Sequence, residues 1–136
     1  MANSEESRKS NKKVGERMKP YVDILGTRYK IEVRKHEEDE FLREKGLDGY
    51  CSEWDKLIVI SDMTGKSFGE LNDREKEVLK KITLRHELLH AFYNESGLSG
   101  SSNQFGGAWA KNEEMVDWFA IQFPKILEAY KWCECI

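Results

Sequence analysis

Two periodicities divide the chain. From residue 21 apolar and polar positions alternate, as in strands that bury one face; from residue 74 apolar positions recur every three or four residues, as in helices. Residues 21–25 and the run Tyr29, Ile31, Val33, set against Arg28, Lys30, Glu32 and Arg34, predict an antiparallel pair turning at Gly26-Thr27, the second strand with a wet outer face. The β-branched run Leu57–Ile60 is the strongest strand signal, and residues 49–60 read as a second hairpin completing a small mixed or antiparallel sheet. Asn72 or Asp73 caps a helix that holds its pattern from Arg74 to about Glu95 and stops at Ser96-Gly97. Val78, Leu79, Ile82, Leu89 and Phe92 form one apolar face of it and Leu84, Leu88 and Ala91 a second, which makes it the central helix of its domain. A glycine-rich loop spans residues 97–110. Asn112 then caps a helix opening at Glu113-Glu114, with Val116, Phe119, Ala120 and Phe123 as its stripe and Pro124 ending or kinking it before a last turn or two.

The tail over residues 1–19 has Val14 and Met18 as its aliphatic residues beyond the start, too little apolar surface to offset its ordering entropy, so the expected domain covers 20–136. A chain of 136 residues suits one domain with a real core, and the fold class expected is α+β. A net charge of −3 offers no footprint for nucleic acid or an anionic membrane. No apolar run approaches the ~20 residues of a membrane span, and the start of the chain has no apolar leader core, so the expected location is the cytoplasm. Three cysteines, Cys51, Cys133 and Cys135, argue against a disulfide framework. Cys51 reads as a small buried hydrophobe, and the Cys133-Glu134-Cys135 pair, with no second pair to complete a thiolate site, as free thiols. His36, inside the charged run 35–40, reads as a solvated side chain, and Tyr93 and Trp109 as core.

The candidate chemistry lies on the central helix, in His86-Glu87-Leu88-Leu89-His90, which holds two of the chain's three histidines. Residues four apart on a helix stack on one face, Cβ atoms roughly 5–6 Å apart, so both imidazoles reach one ion. Glu87, beside the first of them, is placed to take a proton from a water activated by that ion. This H-E-x-x-H pattern on a helix belongs to zinc peptidases, and such sites hold one zinc by three protein ligands and leave a position open. The helix after the glycine loop offers Glu113, Glu114 and Asp117 as the third ligand. Glu113 is preferred because it shares a face with Val116 and Ala120; Asp117, one turn on, suits a hydrogen bond to a liganding histidine; Glu114 points toward Trp118 and Ile121. The alternative for this acidic pair is stabilisation of a helix start.

With this motif, and Glu113-Glu114-Met115-Val116-Asp117-Trp118-Phe119-Ala120 followed by Pro124, residues 20–130 resemble the gluzincin-like metallopeptidases of the ImmA/IrrE type, common in phages and mobile elements. The chain departs from their pattern at Leu89, where they often carry Gly, and at Val116, where they often carry Ala. The resemblance implies a minimal zincin-like fold, a small mostly antiparallel sheet packed on the motif helix and a C-terminal helix. It implies zinc ligands His86, His90 and Glu113, a general base Glu87, and a protein substrate of the DNA-binding repressor kind. Leu57–Ile60 is the expected exposed edge for an extended substrate, and the loop 97–107 the expected lid. The competing reading is a metal-stabilised binding module that sequesters a repressor or host factor without cutting it.

Overall fold

The computed structural model describes residues 18–101, 111–133 and 136. Strands β1 (Tyr21–Ile24) and β2 (Thr27–Arg34) pair antiparallel. Their two-residue turn puts both Leu25 (φ 51°) and Gly26 (φ 91°) in the left-handed region, matching the twist of the flanking strands. A 3-10 turn over His36–Glu38 and the short helix α1 (Glu40–Lys45) lead to the hairpin β3 (Gly49–Ser52) and β4 (Leu57–Ser61). The sheet order is β1-β2-β4-β3, with β2 and β4 parallel and both hairpins antiparallel. The expected α+β class and both hairpins are therefore present, in a mixed sheet.

The expectation that Leu57–Ile60 lies at the sheet edge is overturned. β4 is interior, hydrogen-bonded on both sides, and among the described residues the edge strands are β1 and β3. Its near-continuous apolar run is the signature of a strand covered on both faces: Ile58, Val59 and Ile60 are all fully buried. The Val59 face also carries Arg34 and Tyr50, whose groups meet Asp39 at the start of α1.

Helix α2 (Asp73–Glu95) opens on a capping box: Glu75 N–H donates to Asn72 Oδ1 at 2.9 Å and Asn72 N–H to Glu75 Oε2 at 3.3 Å. It packs on the sheet face formed by Ile24, Tyr29, Ile31, Ile58 and Ile60, with Leu79, Leu84 and Leu88 against that cluster. Its buried residues are Thr83, Glu87, Ala91 and Tyr93, whereas Val78 and Phe92 of the expected apolar faces are exposed. The first three lie at i, i+4 and i+8, a seam of modest side chains. It exists because β3 comes in close: a Cβ on Gly49 would sit 2.7 Å from Thr83 Cγ2 and 2.8 Å from the Val59 carbonyl. Val33, expected to face inward, is also exposed.

His36 departs from its expected solvated state. It is 3 % exposed, with Nδ1 3.1 Å from Ser61 Oγ and its ring edge-on to Phe68 at 4.9 Å. The 3-10 turn folds back over the end of β4, and the Asp62 carboxylate accepts the His36 N–H.

A short helix α3 (Leu98–Ser101) follows Gly97. Helix α4 (Glu113–Trp132) is capped by Asn112, whose Oδ1 accepts the Met115 N–H at 3.1 Å. It docks on α2, where Val116 and Tyr93 form a second small core with Leu89 and Leu98. Of its expected stripe, Val116 and Ala120 are buried, Phe119 is half-buried and Phe123 is exposed. α4 does not end at Pro124 but runs through it. A proline in mid-helix leaves the carbonyl four residues back without its donor; that carbonyl, on Ala120, accepts from Arg85 Nε of α2 at 2.6 Å. The tail of residues 1–19 as far as residue 17, the loop beyond Ser101 with Trp109, and Cys135 lie outside the described residues.

Candidate metal centre

One turn of α2 carries both imidazoles. His86 Nε2 and His90 Nε2 are 3.0 Å apart, with the rings tilted at 60°. From α4, the Glu113 carboxylate reaches across, Oε2 lying 3.2 Å from His86 Nε2 and Oε1 3.5 Å from His90 Nε2. Ligand atoms about 2.0–2.1 Å from a tetrahedral ion stand about 3.3 Å from one another. The three separations, taken to the nearer carboxylate oxygen for each ring, fall around that value, a spacing compatible with one ion between the helices. His86, Glu87 and His90 likewise bring three potential donor atoms within 4.8 Å of one another, a group able to hold a metal ion. Of the three acids considered for the third position, Glu113 is the one in reach of both rings. Glu114 is exposed and lines neither cavity beside the histidines. Asp117 takes the place expected of an orienting group: its Oδ1 lies 2.6 Å from His86 Nδ1. That contact favours the proton on Nδ1 and leaves the Nε2 lone pair facing the centre.

Glu87 differs from its neighbours. It sits on the buried seam of α2, 6 % exposed, while the Glu113 side chain is 64 % exposed. Burial pushes the Glu87 carboxyl up to about 7, with His86 opposing the rise and Glu113 and Asp117 adding to it. Burial and the adjacent His86 together hold His90 below the usual histidine range, which keeps it neutral and able to donate a lone pair.

The centre is flanked by two cavities of about 350 and 380 Å³. Both are lined by Leu47, Gly49, His86, Glu87 and Glu113, and Tyr50, Cys51, Glu53, His90 and Asn94 complete the second. The wall facing the histidines is thus the edge strand β3 and the turn before it. The phase of the β3–β4 hairpin follows from the 2.8 Å bond from Ser61 N–H to the Asp48 carbonyl. Alternate residues of an antiparallel strand face their partner. Tyr50 and Ser52 therefore spend their backbone groups on β4, and Gly49 and Cys51 turn theirs to the open edge. Sequence reasoning did not place this wall at the site. The signal was the glycine flanking Leu47-Asp48: a residue in a strand that tolerates no Cβ marks close approach of another element. Cys51 is half-buried, its Sγ 3.8 Å from Asn94 Nδ2, and burial first and then Glu87 push its thiol up to about 12. Expected as a small buried hydrophobe, it packs against the sheet core but also lines the cavity wall. Cys133 is a free, exposed thiol.

No protein-family model, no curated protein and no solved structure matches the chain. No helix among the described residues is long and apolar enough to cross a membrane.

Proposed function

We propose that the chain is a zinc-dependent endopeptidase with a zincin-like arrangement, of the ImmA/IrrE kind, acting on a protein partner such as a DNA-binding repressor. The observation that carries this reading is the convergence of His86 Nε2, His90 Nε2 and the Glu113 carboxylate within 3.0–3.5 Å, beside a buried Glu87. Two imidazoles and one carboxylate are the donor set zinc takes when a further position stays open. Zinc held there supplies a Lewis acid that brings the acidity of water into the neutral range and polarises a carbonyl.

The chain's own residues have distinct tasks. Asp117 fixes the tautomer and angle of His86. Glu87 accepts a proton from the attacking water and returns it to the leaving amine. A structural metal site has no use for a carboxylate at that position. The peptide is held as an added strand on β3, through the outward N–H and C=O groups of Gly49 and Cys51, which places its backbone along the wall that faces the histidines. Tyr93 belongs to the small core between α2 and α4, packed with Val116, Leu89 and Leu98.

The test is metal analysis beside Glu87→Gln. Both proteins are expected to bind one zinc, and the variant to lose about 10²–10⁴-fold in cleavage of an unfolded protein or of a repressor encoded nearby. If wild type and Glu87→Gln act alike on that target, the sequestering module is the correct reading.

A further inference from the structure

A third cavity, of about 650 Å³, opens on the other face of β3. It shares Leu47, Tyr50 and Cys51 with the cavity beside the histidines, so the two lie on either side of one edge strand. The floor of the outer cavity is a closed network. Arg34 donates to Glu32, Asp39 and the Tyr50 hydroxyl, and Tyr50 donates to Asp39 at 2.8 Å. With Arg34 answered by two carboxylates, the floor carries no free positive charge. The wall is aromatic: Phe41, half exposed, lies 5.5 Å from the Tyr50 ring. At the rim stand Glu40 and Asp55, both exposed and in no ion pair among the described residues. Lys45, the one cation at the rim among the described residues, rests over the Phe41 ring at 4.9 Å, so this ring face accommodates an ammonium.

Successive side chains of a strand point to opposite faces. A peptide paired with Gly49 and Cys51 therefore sends every second side chain toward the histidines and the intervening ones to the face of Tyr50 and Ser52. We propose that the outer cavity is a specificity site for a basic side chain, lysine or arginine, of the bound peptide. Its aliphatic stem lies along Phe41 and Tyr50, and its charge meets Glu40 and Asp55. The inference rests on the strand-addition reading above and adds the substrate class: basic residues at the positions facing away from the metal centre.

The experiment uses the zinc-loaded full chain and internally quenched peptide libraries, each with one position fixed as Lys, Arg, Leu or Glu. Lys or Arg is expected to be preferred over Glu by about tenfold, at one position or at positions two apart. In the Glu40→Gln/Asp55→Asn double variant the preference is expected to fall below about threefold, through KM with kcat unchanged. Phe41→Ala is expected to weaken Lys, Arg and Leu peptides together. A preference for Leu or Glu, or one that survives the double variant, overturns the proposal and leaves the peptidase reading standing. The same peptides are titrated against zinc-loaded Glu87→Gln by fluorescence polarisation. If wild type cleaves nothing, selective capture of basic peptides that is lost in the double variant upholds the cavity and removes the peptidase. Absence of both cleavage and capture overturns both.

Discussion

Glu87 and Glu113 are the same residue type at the same candidate centre, and their surroundings set them apart. Glu113 reaches in from a solvent-facing position and is free to lie against two ring nitrogens; Glu87 is enclosed by the β3 wall, where desolvation favours its protonated form. Asp117 stands behind His86, and loss of such a partner typically costs 10–100-fold in metal affinity. Asp117→Ala is accordingly expected to weaken zinc binding by about that factor in a competition titration with a chelator, with the fold intact by circular dichroism. An affinity unchanged within about twofold would remove Asp117 from the site. At this scale the grouping was legible: the nearness of His86, Glu87 and His90 follows from one helical spacing, and the facing positions of Glu113 and Asp117 from a second. His36 was not, because its burial depends on a turn folding over Ser61, and nothing in a run of charged neighbours encodes that.

The site is assembled from elements distant in sequence, and the contacts that align them are not the ones hydrophobic patterning displays. α2 meets β3 through Thr83, Glu87 and Ala91, and a scale that ranks Val78 and Phe92 as core looks at the wrong side of that helix. The strand order was equally hidden. Two hairpins can be read locally, but which strand of one pairs with which strand of the other depends on the path through α1; the parallel join of β2 to β4 turns the expected edge into the centre. Between α2 and α4 the bond from Arg85 Nε to the Ala120 carbonyl uses the acceptor that Pro124 frees. It lies one residue from His86 and about two helical turns from Glu113. Arg85→Met is expected to lower stability by about 1–2 kcal/mol, the acceptor being half-enclosed and left without a donor. It is also expected to loosen zinc binding severalfold, because α4 carries both Glu113 and Asp117. Denaturant melts of the zinc-free protein and chelator titration separate the two effects; a loss of stability with zinc affinity unchanged would make this bond structural only.

Over the whole molecule, the same sheet carries the candidate metal centre at one face of its β3 edge and a closed polar network at the other. Asp39 anchors that network and is buried. Burial opposes its ionisation, but hydrogen bonds from the Leu42 N–H, Arg34 and Tyr50 outweigh it and hold the carboxyl below its ordinary value. A carboxylate depressed in the folded state contributes stability above its unfolded pKa of about 3.9 and loses it as pH falls through the folded value. Wild type is therefore expected to destabilise progressively below about pH 4. Asp39→Asn is expected to be about 1–3 kcal/mol less stable at pH 7 and to show a flatter acid limb in urea melts; parallel acid limbs would mean that Asp39 is not the responsible group.

The centre itself is tested most directly by diffraction from crystals grown with zinc, recorded on both sides of the zinc absorption edge. The account predicts one anomalous peak per chain, about 2.0–2.2 Å from His86 Nε2, His90 Nε2 and a Glu113 oxygen. A peak elsewhere, such as at the thiolates of Cys133 and Cys135, or a Glu113 carboxylate turned away from the two imidazoles, would contradict it.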